Sequence, residues 1–284
     1  MKKVLVTGAT GFIGNYVIEE LLRLNCDVIA TSLHEEKAKQ FDWHNKVKYL
    51  SFDLNDLDDS KNYFDYFGKP DLLIHLAWEG LPNYKSSFHV DENLPRHFSF
   101  LSNLIRNGLK DVSITGTCFE YGMKEGRLSE NMPSAPDNFY AIAKDLLRKQ
   151  LEELKSKYSF SLKWIRLFYM YGKGQNPKSI LAQLEKAIQN KEAVFNMSGG
   201  EQVRDYLPVE KVAEYIAKIA LQTETDGIIN CCSGSPISIK QLVENYLRQK
   251  QSEIKLNLGF YPYPDYEPMA FWGDDRKLKS ILNE

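Results

Sequence analysis

Tyr140 and Lys144 stand one helical turn apart in Tyr140-Ala141-Ile142-Ala143-Lys144, so a phenol and an ammonium share one face. A phenol titrates at about pH 10 on its own, and a neighbouring cation favours its ionised form. Such a pair can pass a proton to or from a substrate oxygen at neutral pH. The same spacing also occurs as a solvated pair on surface helices, and what precedes it in the chain decides between the two. Near the N-terminus Val4-Leu5-Val6-Thr7 runs straight into Gly8-Ala9-Thr10-Gly11-Phe12-Ile13-Gly14. An apolar strand followed by glycine at every third position is the pattern of a phosphate-binding turn. Side chains are missing where backbone N–H groups must approach a pyrophosphate and where the next helix must lie close on the sheet. Gly8, Thr10, Gly11, Phe12, Ile13 and Gly14 are therefore expected to hold a dinucleotide.

These groups need a scaffold, and the first half of the chain supplies its pattern. Strands are expected at residues 3–7, 27–31, 47–51, 71–76, 112–115 and 162–168, alternating with helical stretches that include 89–107 and 140–158. Near-continuous apolar strands such as Leu72-Leu73-Ile74 belong inside a parallel sheet covered on both faces. After about residue 168 Gly and Pro break the alternation into shorter elements, ending in Tyr261-Pro262-Tyr263-Pro264. The expected fold is α/β, a Rossmann-type doubly wound parallel sheet with a smaller C-terminal lobe. Residues 1–168 and a returning segment of about 205–232 form the sheet domain; about 169–204 and 233–284 form the lobe. A ligand cleft is expected at the strand C-termini between them.

Bulk composition narrows the function. The 284 residues carry a net charge of −2 with no basic run, which argues against a nucleic-acid surface. No stretch is long and apolar enough for a signal-peptide core or a membrane span, so the protein is read as cytoplasmic. Four cysteines without a C-x-x-C pattern read as buried thiols, and no metal site is expected.

Taken together, Thr7 to Gly14, Tyr140 with Lys144, and Thr115-Gly116-Thr117-Cys118-Phe119-Glu120-Tyr121-Gly122 resemble the extended short-chain dehydrogenase/reductase family. That family includes nucleotide-sugar epimerases, dehydratases and ketoreductases, and the resemblance runs from end to end. It implies that the hydroxyl five residues before the Tyr-Gly glycine, here Thr117, bonds the sugar oxygen undergoing redox, with Tyr140 and Lys144 completing the catalytic set. It implies an adenine contact at Asp53 beside Leu54, a strand exit under the cofactor at Leu76 and Ala77, and the family's helix amide at Asn93. Without the resemblance, Asp53 reads as a helix cap, His75 as a core histidine and Asn93 as a surface amide. Arg204-Asp205-Tyr206 resembles the segment whose Arg clamps the nucleotide-sugar diphosphate, a task suited to a bidentate guanidinium. Asn230 to Gly234 resembles the strand and turn that return to the first domain. Trp78, Tyr84, Cys118, Phe119, Gln175 and Asn176 are expected around the substrate, although the two aromatics read equally well as core.

Departures from the family pattern separate reactions. The 4,6-dehydratases carry an Asp-Glu pair directly after the catalytic Thr, where this chain has Cys118-Phe119. Epimerase-reductases acting at C3 and C5 use a Cys two residues beyond that Thr and a later His. Here that position is Phe119, and no His follows His97. What remains is hydride transfer with one proton relay at one carbon, as in a 4-ketoreductase or a 4-epimerase. Ser32 stands where NAD-preferring relatives carry an acidic residue for the ribose 2′-OH, with His34 and Lys37 near it, which favours NADP(H) over NAD(H). Tyr169 replaces the Asn of epimerases and dehydratases, and with Gly-Thr-Cys-Phe-Glu-Tyr-Gly resembles the small 4-keto-6-deoxyhexose reductases. The expectation is an NADPH-dependent reductase of the C4 ketone of a nucleotide-linked, dTDP-type 4-keto-6-deoxyhexose. An NAD-dependent nucleotide-sugar 4-epimerase is the alternative, and a non-catalytic cofactor sensor, which would usually have lost the Tyr/Lys pair, a minor one. A homodimer is expected through helices carrying Leu94, Phe98, Leu101, Leu104 and Ile105, and Leu146, Leu147, Leu151 and Leu154.

Overall fold

A computed structural model describes residues 1–263 and 267–283; Pro264 of the Tyr-Pro run lies outside them. Strands and helices alternate through the first half as β1 (Lys3–Thr7), α1 (Phe12–Arg23), β2 (Asp27–Ser32), α2 (Glu35–Ala38), β3 (Lys48–Ser51), α3 (Tyr63–Tyr66), β4 (Leu72–His75), α4 (Leu94–Arg106) and β5 (Asp111–Thr117). There follow β6 (Gly126–Leu128), α5 (Phe139–Leu154), β7 (Ser161–Leu167), β8 (Tyr169–Tyr171), α6 (Ile180–Gln189), β9 (Val194–Asn196), β10 (Val203–Pro208) and α7 (Val209–Leu221). The chain closes with β11 (Gly227–Cys231), β12 (Pro236–Ser238), α8 (Ile239–Gln249), β13 (Lys255–Asn257), β14 (Phe271–Gly273) and α9 (Arg276–Leu282).

Seven strands make one sheet in the order β11-β7-β5-β4-β1-β2-β3, with every neighbouring pair parallel. All six strands expected from the sequence form, with ends shifted by a residue or two, and β11 joins them beyond β7. Alternation assigns the faces. Val4 and Val6 enter one core with residues of α1 and α7, while Leu5, between them, enters the other with residues of α4 and α5. Both faces are thus dry, as a parallel sheet requires. Outside the sheet, α6 and α8 close a separate core around Leu184, Phe195 and Val243, flanked by the three-stranded β12-β10-β8.

Two expected helices come out shorter. Instead of one helix over 89–107, a π turn, His89–Asn93, leads into α4. Pro95 has no N–H to return to Asp91, so a regular α turn loses a bond there and the chain widens. The other begins at Phe139, where the Asn138 side chain accepts the Ala141 N–H at 3.0 Å, and ends at Leu154. Leu94, Leu101, Leu104, Ile105, Leu147, Leu151 and Leu154 are all buried against the sheet of their own chain, with Phe98 packed at the edge and Leu146 left 37% exposed. The apolar surplus read as a pairing surface is mostly used within one subunit. No described helix is long and apolar enough to cross a membrane.

Candidate active site

The glycine turn behaves as its spacing suggests. Gly8 has φ +70°, and a Cβ there would lie 2.7 Å from the Ala77 nitrogen; one on Gly14 would lie 2.2 Å from the Gly8 oxygen. Only a chain without side chains at these points can bring β1, α1 and the exit of β4 this close. Helix α1 starts at Gly11 with no side-chain cap, so no capping side chain claims its first-turn N–H groups, which suits an anion. A cleft of about 460 Å³ opens above, lined by Gly8, Gly11 to Gly14, Leu76, Trp78, Tyr84, Thr117 to Phe119, Tyr140 and Asn176 among others. The cradle therefore fits a dinucleotide pyrophosphate. At the end of β2, Ser32 Oγ receives the Thr10 hydroxyl at 3.0 Å and meets the Tyr49 hydroxyl at 2.9 Å. This edge presents the hydroxyls of Thr10, Ser32 and Tyr49. Asp53 is half-buried and caps the short turn after β3, accepting the Asn55 N–H at 2.8 Å, beside the partly buried Leu54.

Tyr140 and Thr117 line the cleft, with Lys144 buried beneath them. Thr117 ends β5 in a capping box: its hydroxyl accepts the Phe119 N–H at 3.3 Å, and its own N–H goes to the Glu120 carboxylate at 2.9 Å. Glu120 has no solvent contact and also takes Trp164 Nε1–H at 2.9 Å and Arg166 Nε–H at 2.8 Å. Burial pushes the Tyr140 phenol well up, with Tyr84, Glu120 and Cys118 adding to the rise and a bond to Thr117 opposing it. Tyr140 is accordingly a neutral phenol at neutral pH. Lys144, buried on the next turn, donates to the Thr115 carbonyl at 2.9 Å, and burial brings it down to about 7 against a raising influence of Glu120.

Aromatic side chains wall the cleft. Tyr84 lies 5.5 Å from Tyr140 and 5.3 Å from Phe119, ring centre to ring centre, and Phe119 lies 6.3 Å from Tyr169. Trp78 lies over Lys144. Burial pushes the Cys118 thiol up, so it is not a thiolate. No charged side chain lines this cleft among the described residues.

A second cavity of about 510 Å³ shares Phe12, Pro82, Tyr84, Tyr169, Met170 and Asn176 with the first and extends into the α6/α8 side. Arg204 lies here, apart from Tyr140. It is less free than a clamp read from sequence: Nη1 donates to the carbonyls of Val203 and Met269, and Nη2 pairs with Glu267 at 2.9 Å. Three polar atoms along this cavity, Gln175 Oε1, Ser179 Oγ and Gln202 Nε2, are buried without a partner. A buried polar atom left unpaired costs about 1–3 kcal/mol, so three at one cavity mark a surface shaped for a polar ligand.

The cleft thus gathers the glycine turn, Leu76, Trp78, Tyr84, Thr117 to Phe119 and Tyr140 with Lys144 beneath, while Gln175 and Arg204 lie one cavity away. Ala77 meets the turn through its N–H, 3.4 Å from the Thr7 hydroxyl. Asn93 lines neither cavity; it is fully buried and donates to the Glu79 carbonyl at 3.0 Å, holding the loop after β4. Sequence reasoning overlooked Glu120, although Thr117-x-x-Glu120 is a readable capping box, and Glu267, whose pairing with Arg204 has no local signal. Among the described residues no group of three or more His, Cys, Asp or Glu could hold a metal ion.

Comparisons with known proteins show the family and the fold. The model of the NAD dependent epimerase/dehydratase family matches residues 4–232. The dTDP-6-deoxy-L-talose 4-dehydrogenase (NAD(+)) of Aggregatibacter actinomycetemcomitans is 31% identical over 95% of this chain and 98% of its own length. The GDP-6-deoxy-D-talose 4-dehydrogenase of the same organism is 27% identical over 99% and 91%. A UDP-glucose-4-epimerase of Stenotrophomonas maltophila, solved with NAD and formylated UDP-arabinopyranose, superposes with a TM-score of 0.87 at 16% identity, over 100% of this chain and 93% of that one.

Removing the buried carboxylate under Thr117 should be costly. Glu120→Ala leaves the Arg166 guanidinium, itself fully buried, without its ion partner, an imbalance of about 3–5 kcal/mol. Urea denaturation is expected to show that loss. A change below 1 kcal/mol would mean water takes over the role of the pair.

Proposed function

The chain belongs to the NAD dependent epimerase/dehydratase family, and within it we propose that it reduces the C4 ketone of a nucleotide-linked, dTDP-type 4-keto-6-deoxyhexose. The observation that carries this reading is a cleft with Tyr140 and Thr117 in its lining, Lys144 buried beneath them, aromatic walls and no charged side chain lining it among the described residues. An apolar wall suits the methyl group of a 6-deoxy sugar and offers no partner to a uronic acid carboxylate. Phe119 has no proton to transfer, so its place beside Thr117 supports chemistry at a single carbon. The two 6-deoxytalose relatives add to this, since both act at C4 by name.

A dinucleotide held over the glycine turn would supply the hydride for the new C4–H bond. Thr117 orients the carbonyl oxygen, and Tyr140 releases its phenolic proton to that oxygen as the alkoxide develops. A phenol kept neutral by burial is in the form that donation requires. Lys144 stabilises the phenolate left behind and holds the nicotinamide ribose. Gly8, Gly11 and Gly14 with Thr10, Phe12 and Ile13 hold the pyrophosphate, Asp53 the adenine end, and Arg204 with Gln175 and Asn176 the sugar-nucleotide diphosphate. On this reading residues 1–168 and 205–232 carry the cofactor, and 169–204 with 233–284 carry the nucleotide sugar.

For the cofactor we propose NADP(H), on the ground that Ser32 sets no carboxylate against a 2′-phosphate. The talose relative and the epimerase structure are both described with NAD, which is the contrary outcome. A homodimer through α4 and α5 completes the proposal, supported by Leu146 and Phe139, which stay exposed on α5.

Supplied singly with 4-keto-6-deoxy sugar nucleotides, the wild type should consume NADPH, and Tyr140→Phe should lower kcat by about 10²–10⁴-fold while leaving dinucleotide affinity nearly unchanged. Consumption unaffected by the substitution would overturn the mechanism. In a titration of both dinucleotides, Ser32→Asp should weaken NADPH relative to NADH by about tenfold through like-charge repulsion; a wild type that prefers NADH removes the basis for the cofactor assignment. Sedimentation at micromolar concentration is expected to give twice the 32.8 kDa chain mass, and a single-chain mass would rule the dimer out.

A further inference from the structure

The reading of Lys144 as a catalytic group leaves one question open: what keeps an ammonium in place at 1% exposure? Among the described residues no carboxylate comes within ion-pair distance of it, and it donates a hydrogen bond to the Thr115 carbonyl. The group that faces it is the indole of Trp78, whose ring centre lies 4.0 Å from Nζ. We propose that Trp78 is a positioning residue for the reaction, its indole face holding the Lys144 ammonium charged and aimed at the dinucleotide cleft.

The indole is fixed on two sides. Its edge donates from Nε1 to His89 Nδ1 at 3.1 Å, and His89 in turn donates from Nε2 to the Asn83 carbonyl at 3.0 Å, so a single neutral tautomer serves both bonds. The ring also stacks with His97, centroids 4.6 Å apart and planes 19° from parallel. His97 is held through Nδ1 to His75 Nε2 at 2.7 Å, and His75 Nδ1 meets the Thr7 hydroxyl at 2.8 Å. Thus β1, β4, the π turn and α4 all contribute to the orientation of one ring.

Electrostatics favour the same arrangement. The titratable groups around Lys144 are Glu120 from the turn after β5, His75 from β4, His89 from the π turn, His97 from α4 and Tyr140 from its own helix. Burial, with the positive charge of Lys144, pushes His75 down to about 3 and His97 well below its ordinary range, and lowers His89. All three imidazoles are neutral at neutral pH and add no competing charge. Glu120 favours the ammonium, and the indole quadrupole does so from closer range, in a site where water does not screen it. A π face favours the charged form, so its loss lets Lys144 give up its proton at lower pH.

The proposal rests on the catalytic reading of Lys144, and two arms keep them apart. In protein free of substrate and dinucleotide, tryptophan emission followed against pH should show a step as Lys144 titrates, absent in K144M and in W78F. No step, or one that persists in W78F, overturns the contact whatever the reaction proves to be. In turnover with a 4-keto sugar nucleotide, W78L should move the alkaline fall of kcat down by about one pH unit, equivalent to about 1.4 kcal/mol. W78F, which keeps an aromatic face, should stay within about half a unit of the wild type. An unmoved limb in W78L with lowered turnover would make Trp78 a filler of space and sink the proposal. Should no keto sugar be turned over by the wild type, the reaction assignment fails while the emission arm still decides the contact.

Discussion

A carboxylate with no access to water needs donors on every side, and Glu120 finds three: the Thr117 N–H, the Trp164 indole and the Arg166 guanidinium. The first belongs to the end of β5 and the other two to β7, so the ion is also the clamp between the two strands beneath the cleft. Arg166 then lies over the Tyr121 ring at 4.3 Å, and the Tyr121 hydroxyl donates to Asn230 on β11 at 2.8 Å. Isolated burial of either charge would be prohibitive, and shared hydrogen bonds make the pair tolerable. Through this cluster the outer half of the sheet is registered to Thr117 in the cleft.

A similar device joins the two halves of the chain. Asp205, fully buried on β10, accepts the N–H groups of Ser233 and Gly234 in the turn after β11 and of Gly273 on β14. A side chain here substitutes for the backbone pairing that irregular segments cannot give themselves. Arg204, its neighbour in sequence, faces the other way and stacks over Phe271 at 4.5 Å. Adjacent residues on one strand thus serve opposite faces, one locking the lobe and the other presented to the second cavity.

Local patterns were legible in the sequence and long-range partners were not. The glycine turn, the six sheet strands and the Tyr140–Lys144 spacing depend on near neighbours and on apolar periodicity, and all three appear where expected. Asp53 performs the capping that an isolated reading assigns it, and His75 is the core histidine of the plain reading, although it backs the cleft through His97. Arg204 was visible, but its neutralisation by Glu267 across 63 residues was not. The π turn escaped because Pro95 within an apolar helical stripe looks tolerable until the missing N–H is traced to its acceptor. Most of the leucines of α4 and α5 cover the sheet of their own chain, a share that was not legible because the sequence does not say how much sheet there is to cover.

One backbone contact ties the cleft wall to its proton donor. The second N–H of α5 belongs to Tyr140 and, having no partner within its helix, goes to the Tyr84 carbonyl at 3.1 Å. The segment from Gly80 to Tyr84, which supplies Leu81, Pro82 and Tyr84 to the cleft wall, is therefore spliced to the first turn of α5. An insertion or deletion there would move Tyr140 along with the wall. Side-chain exchanges at Leu81, Tyr84 or Phe119 would instead reshape the cleft and leave the helix where it is.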